Sequence, residues 1–250
     1  MFQLCADSFV RIFGDIGLVT NQLTKRDRVY DDSGAVFLAT LGRQPKQIAD
    51  IVADLAGEFS DAPVATLETD FREFAADLEA DGFVVTGRTP AELALNMPRF
   101  SYQMANPKTM PLTRIDISPT PLTSTAEFMA EHFRKNPRVF GFQMEVTARC
   151  NERCQHCYLP HERDMAEMET VLALDILDQL VPMGTVSVTI SGGECLLHKD
   201  IDQILRQARK NDLAISVLSN ITLLTDEHVA LLKEVNIAQL QVSLYSMKAE

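Results

Sequence analysis

The chain has 250 residues and 46% apolar content, enough to bury a core in one or two domains. Its 35 acidic and 23 basic side chains give a net charge of −12, which disfavours non-specific attraction to nucleic acid or anionic lipid. No apolar run approaches the roughly 18 residues of a membrane span. Met1-Phe2-Gln3 opens no charged-then-apolar signal segment, so the expectation is a soluble, cytoplasmic protein with no membrane or nucleic-acid partner. Five cysteines, three of them crowded into eight positions, exclude a secreted disulfide framework and leave a metal or cluster site open.

The first segment is strand-like. Phe9–Phe13, Leu18–Thr20 and Arg28–Tyr30 are rich in β-branched and aromatic residues, punctuated by Gly14 and Gly17. Helices follow. One spans Ala35–Leu41 and ends at Gly42. The next opens after Pro45, carries Ile48, Ile51, Val52 and Leu55 at helical spacing, and closes at Gly57. A third sets Leu67, Phe71, Phe74 and Leu78 on one face, and Gly82-Phe83-Val84-Val85 reads as a final strand. The pattern is a small winged-helix-like α+β domain over about 1–88.

Winged helices often insert the third helix into DNA. Here that helix carries Glu68, Asp70, Glu73, Asp77, Glu79 and Asp81 against the single base Arg72, and phosphates would repel it.

Seven of the eleven prolines fall between Pro90 and Pro137, which marks 89–137 as a linker, extended over much of its length. A short helix at Ala126–Arg134, capped from Ser124 and Thr125, leads towards the second domain.

From 138 onward strand and helix alternate. Strands are expected at Phe142–Thr147, Val186–Ile190, Ala214–Leu218 and Gln239–Leu244, with helices at about 169–181, 200–210 and 226–235. That order predicts an α/β fold with a parallel sheet. Fully buried parallel strands read as continuous apolar runs, yet these alternate. One face offers Gln143, Glu145, Thr147, Ser187, Thr189, Ser191, Ser216, Asn220, Gln239, Gln241 and Ser243. The other offers Met144, Val146, Val188, Ile190, Ile215, Val217, Val242 and Leu244 to the helices. A sheet with one polar face suits a barrel or half-barrel curled round a polar ligand, which would sit at the carboxyl ends of the strands.

Chemistry-bearing residues gather at those ends. Cys150, Cys154 and Cys157 follow the first strand, and three thiolates from one loop suit zinc or an iron–sulfur cluster. Two other readings are a coincidence of buried cysteines and a zinc site completed by His156 or His161. No second CxxC-type arm accompanies the loop, and three cysteines can hold a four-iron cluster with one iron left open. Gly192-Gly193-Glu194 follows the second strand, with a backbone free to approach a ligand and a carboxylate fit for an ammonium group. Ser219-Asn220 follows the third, and Ser243 stands in the fourth.

CNERCQHCY, SGGE, LSNITLLT and QVSLYS at successive strand ends resemble the radical S-adenosylmethionine (SAM) superfamily over about 140–250. The resemblance implies a partial (β/α)6 barrel with about four of its strands present. It implies a [4Fe–4S] cluster on Cys150, Cys154 and Cys157, whose fourth iron takes the amine and carboxylate of SAM. Gly192, Gly193 and Glu194 would contact that amine. Ser243, with Asn220 nearby, would face the ribose and carboxylate, and His156 would lie beside the adenine. One electron, from a reductase or a flavodoxin- or ferredoxin-type donor, would yield methionine and a 5′-deoxyadenosyl radical that abstracts a substrate hydrogen. The cofactor carries this chemistry, and no side chain is nominated as catalytic.

The first domain is similar to the small chaperone of pyrroloquinoline quinone biosynthesis, through KQIADIVADL and TDFREFAADLEADGFVV. That resemblance implies a leader peptide adding as a strand beside Arg28, Val29 and Tyr30, in a cleft against Asp70, Phe71 and Phe74. A core role is the other reading of Phe71 and Phe74. Together the halves imply a peptide maturase that acts on a ribosomally made precursor by thioether or carbon–carbon cross-linking or by epimerisation. A module that only binds the leader is the alternative, and a zinc-binding winged-helix regulator is a third. Three departures stand out. Cys195 occupies the place of a usual proline, Ile221 that of a usual glycine, and the chain stops at Glu250 short of six strands. The expectation is a fragment of a longer enzyme or one that needs a second chain.

Overall fold

The computed structural model describes residues 1–250 except 23, 25, 99–124, 156, 158–166 and 244–250. His161 and Leu244 therefore lie outside the described residues. The chain divides into two compact units, Met1–Pro137 and Arg138–Glu250.

The first unit runs β1 (Phe2–Leu4), β2 (Ser8–Phe13), β3 (Ile16–Asn21), β4 (Arg26–Asp31), α1 (Asp32–Ala39), α2 (Ile48–Glu58), α3 (Val64–Ala80), β5 (Val84–Thr86), α4 (Pro90–Asn96) and α5 (Thr125–Lys135). β2, β3 and β4 form an antiparallel meander with β4 at one edge. The β2–β3 turn has two central residues, and Gly14 adopts the φ of +71° that the tight hairpin requires. β1, too short at three residues to announce itself in the sequence, pairs antiparallel with the expected final strand, β5.

Residues opposite one another in the ladder share a face. Val10, Gly17, Val19 and Tyr30 share the face turned towards α1 and α3. A Cβ on Gly17 would come within 3.1 Å of the Ala35 backbone, so the absence of a side chain lets α1 settle there. The core beneath holds Phe2, Phe37, Leu38, Ile51, Leu55, Phe71 and Leu78.

Phe9, Phe13, Ile16 and Leu18 occupy the opposite face and are buried too. Helix α5 contributes to that burial. Phe133 meets Phe13 edge-on with ring centroids 5.3 Å apart, and Met129 is buried. The Arg43 guanidinium stacks 4.8 Å from the Phe9 ring centre. The helix expected to lead into the second domain is thus packed into the first unit, because an antiparallel sheet with two apolar faces needs two covers.

The second unit runs β6 (Gly141–Thr147), α6 (Thr170–Leu180), β7 (Ser187–Gly192), α7 (Ile201–Lys210), β8 (Ala214–Ser219), α8 (Asp226–Glu234) and β9 (Gln239–Val242). Its four strands are parallel in sequence order, as the alternation of elements predicts. Gln143, Thr189, Ser216 and Gln239 line up across the sheet on one face, and Met144, Ile190, Val217 and Leu240 on the other. The apolar row packs with Leu177, Ile204, Leu205, Leu231 and Leu232 of the three helices. Val242 departs from expectation at 42% exposed, since among the described residues no helix follows β9 to cover it.

Candidate functional site

The carboxyl ends of β6, β7 and β8 are joined by hydrogen bonds between segments far apart in sequence. The Gly193 N–H donates to Thr147 O and the Glu194 N–H to Arg149 O, both at 2.8 Å, so the strand end of β7 runs alongside the start of the cysteine loop. Both glycines are required there. A Cβ at Gly192 would sit 2.3 Å from Thr147 O, and one at Gly193 2.4 Å from Arg149 O. Gly192 also holds φ at +143°, a conformation side chains rarely adopt. The close approach seen for the pair is thus to the backbone that launches the cysteine loop.

Glu194 is 1% exposed, and a buried carboxylate must find donors. Oε1 accepts from the Ser219 hydroxyl at 2.9 Å and the Leu196 N–H at 3.1 Å, and Oε2 accepts from the Asn220 N–H at 2.8 Å. Ser219, at the end of β8, is the partner that sequence reading did not assign. It stands 25 residues from Glu194, and nothing in its local text signals the contact.

Cys195 begins a short 3-10 turn, Cys195–Leu197. Its thiol donates to Leu218 O at 3.2 Å and is fully buried. Burial, then the neighbouring Glu194 charge, pushes it up to about 12, so it stays a protonated thiol.

Cys150 and Cys154 are half-buried, Cys157 is exposed, and none is in a disulfide. Cys150 Sγ accepts the Glu152 N–H at 3.4 Å, and the Cys157 N–H donates to Cys154 O at 3.1 Å. Among the described residues no three His, Cys, Asp or Glu side chains converge as a metal-holding group. The donor set nonetheless suits an iron–sulfur cluster: three thiols outside any disulfide, in one loop hung from a strand end. His156 lies outside the described residues.

The far end of the loop is anchored as well. The Met168 N–H donates to Val146 O at 2.9 Å, and Arg149 pairs with Glu167 at 3.1 Å. Buried His198 bonds Met168 O through Nε2 at 2.8 Å while its Nδ1 accepts the Asp200 N–H, which fixes Nε2 as the protonated nitrogen. Asn220 and its neighbours tie the loop to β8, and Ile221 beside it holds φ at +56°, a left-handed position at which the usual glycine is strain-free. Ser243 is exposed, and its N–H donates to Ser219 O at 3.2 Å.

In the first unit, β4 is an edge strand of its sheet and carries three of the residues that sequence reading singled out. Arg28 is ion-paired with Asp81 and donates to the Tyr30 hydroxyl at 3.3 Å, and Val29 is half-buried. Tyr30 and Phe74 contact edge-on at 4.9 Å. Asp70 is exposed on α3, whereas Phe71 is fully buried among Phe2, Phe37 and Phe74.

Comparison with known proteins matches both units. The radical SAM superfamily model matches residues 144–250, and the model for coenzyme PQQ synthesis protein D (PqqD) matches residues 28–84. A PqqA peptide cyclase of Rhodopseudomonas palustris is 32% identical over 108 residues, covering 42% of this chain and 29% of the relative. An Fe-coproporphyrin III synthase of Methanosarcina barkeri is 32% identical over 102 residues, covering 40% of this chain and 25% of the relative. The matches span less than a third of these relatives. The solved structure of SuiB from Streptococcus suis has a TM-score of 0.51 at 18% identity, covering 92% of this chain and 44% of that one. SuiB bound to its precursor peptide SuiA scores 0.50. Residues 144–250 are a radical SAM domain, carried in the same chain as the PqqD-like domain of residues 28–84.

Proposed function

We propose that this chain is the leader-binding and cofactor-binding part of a radical SAM peptide maturase. The radical SAM match alone leaves the substrate open, since over its matched stretches the chain is 32% identical to both a PqqA peptide cyclase and an Fe-coproporphyrin III synthase. The PqqD-like half favours a peptide, as do the SuiB likeness in fold and that protein's complex with a precursor peptide.

The observation that carries the reading is the junction at three strand ends, where the cysteine loop, Glu194 and Asn220 are hydrogen-bonded into one unit. Cys150, Cys154 and Cys157 would hold three irons of a [4Fe–4S] cluster, with the free energy of metal binding available to order their loop. The cluster and SAM, when bound, supply a one-electron cleavage that ends in radical abstraction of a substrate hydrogen. The electron comes from a reductase or a flavodoxin- or ferredoxin-type donor.

The chain's own residues orient and enclose. Gly192 and Gly193 set the cysteine loop against β7. Glu194 Oε2 takes one N–H and keeps a lone pair for the amine of SAM. Ser243 and the Asn220 segment face the ribose and carboxylate, and His156 lies beside the adenine. The polar sheet face holds the peptide segment to be modified, by thioether or carbon–carbon linkage or by epimerisation.

The leader adds to the outer edge of β4 beside Arg28, Val29 and Tyr30, as edge strands permit. It meets Phe74 and Asp70 of α3, with Phe71 supporting Phe74 from the core.

Anaerobic reconstitution with iron and sulfide tests the site. The wild-type chain is expected to gain four-iron absorbance and an electron-spin signal that SAM perturbs, and the triple change of Cys150, Cys154 and Cys157 to alanine abolishes both. Retention of the cluster by that variant overturns the assignment.

A further inference from the structure

Asn151, Asn220 and Thr222 close a ring of hydrogen bonds between the cysteine loop and the segment after β8. Asn220 Nδ2 donates to Asn151 Oδ1 at 3.0 Å, Asn151 Nδ2 donates to Thr222 Oγ1 at 2.6 Å, and Thr222 Oγ1 donates to Asn220 Oδ1 at 2.7 Å. Each side chain gives one hydrogen and takes one, so the ring runs in a single sense. Turning over either amide would set donor against donor, which fixes both orientations. The Thr222 N–H adds a second bond to Asn220 Oδ1 at 3.0 Å, and the Asn220 N–H is held by Glu194.

The ring sits on the first cysteine of the loop. Asn151 is its immediate neighbour, and Asn220 Nδ2 stands 4.0 Å from Cys150 Sγ, within reach for a donor to sulfur. Both ends of the Asn220 amide are therefore spent on the chain itself. Loop conformation alone does not account for the arrangement, because two of the three bonds cross 69 and 71 residues of sequence.

We propose that this ring is a positioning clamp for Cys150. It fixes the first thiolate of the site relative to Glu194, and through Asn220 Nδ2 it places a hydrogen-bond donor on the ligand sulfur. The second role rests on the cluster reading above. A donor to a cluster sulfur stabilises the more negative, reduced state and so raises its reduction potential. Asn220 then acts through Cys150 and not as a direct contact to the cofactor.

Two variants test the clamp. Thr222→Val removes the hydroxyl with little change of shape, and Asn220→Ala breaks the ring at both of its Asn220 bonds and leaves only the one between Asn151 and Thr222. In the metal-free chain, iodoacetamide is expected to alkylate Cys150 roughly two- to tenfold faster in Thr222→Val, which loosens the clamp but keeps the donor beside the sulfur, the worth of one net hydrogen bond, with Cys157 unchanged as the internal reference. In the reconstituted protein, Asn220→Ala is expected to shift the cluster midpoint to more negative potential, with Thr222→Val in between. Unchanged Cys150 alkylation in Thr222→Val, with wild-type circular dichroism, overturns the clamp. An unchanged midpoint in Asn220→Ala overturns the sulfur bond. A wild-type chain that takes up no iron and sulfide defeats the cluster reading instead, and the alkylation rates still decide the clamp.

Discussion

Ser219 donates its hydroxyl to Glu194 Oε1 at 2.9 Å, joining the ends of two neighbouring strands beneath the protein surface. Ser219 is itself 4% exposed, so water cannot readily replace it. Ser219→Ala should cost about 1–3 kcal/mol, because a buried carboxylate loses one of its donors. Urea denaturation of the metal-free chain reads this as a lower midpoint at unchanged slope.

The Phe133–Phe13 contact predicts that α5 is needed by the first unit. Phe133→Ala is expected to destabilise residues 1–137 by about 1–2 kcal/mol, since the ring is half-buried. A fragment ending at residue 98 should melt below one ending at 137 and bind a dye for exposed apolar surface. Thermal denaturation of the two fragments checks this.

Ile221 sits in the left-handed region with a branched side chain that resists it. Ile221→Gly should relieve about 1–2 kcal/mol of strain and return about 0.5–1 kcal/mol through chain entropy, a net gain in stability. A rise in melting temperature supports the account, and a fall of similar size sinks it.

Cys5 and Cys195 are buried, and burial pushes their thiols up to about 11 and about 12. At pH 8, an alkylating reagent should modify Cys150, Cys154 and Cys157 in the folded chain and spare these two, as mass mapping would show. The sign of the pH effect follows. Their unfolded value lies near 9.0, so above pH 9 the unfolded chain ionises them first. Their contribution to stability is full below pH 9 and is lost between pH 9 and about 12, which denaturation midpoints at pH 8 and 10.5 would register.

Much of this was legible in the chain. The order of strands and helices announced a parallel sheet. Alternation of period two in Gln143–Thr147 and Ser187–Ser191 gave that sheet one polar face, because each residue reports its own side of a strand. What stayed hidden depends on contacts made across the fold. Three-residue β1 is too short to carry a pattern. Helix α5 reads as a linker element until Phe13 and Phe133 are seen together. Gly192 and Gly193 read as a cradle for ligand, yet the nearest backbone to their missing side chains is that of residues 147–149. Ser219, Thr222 and Asn151 are ordinary polar residues in sequence, and only the approach of β8 to the cysteine loop gives them work.

The packing of α5 on the meander also sets where this chain can be divided. A graft of the first unit onto another chain that cuts near residue 88 would strip the sheet of one of its covers. A junction placed just past Pro137 would carry the hydrophobic seal along, and with it a unit that can be moved whole.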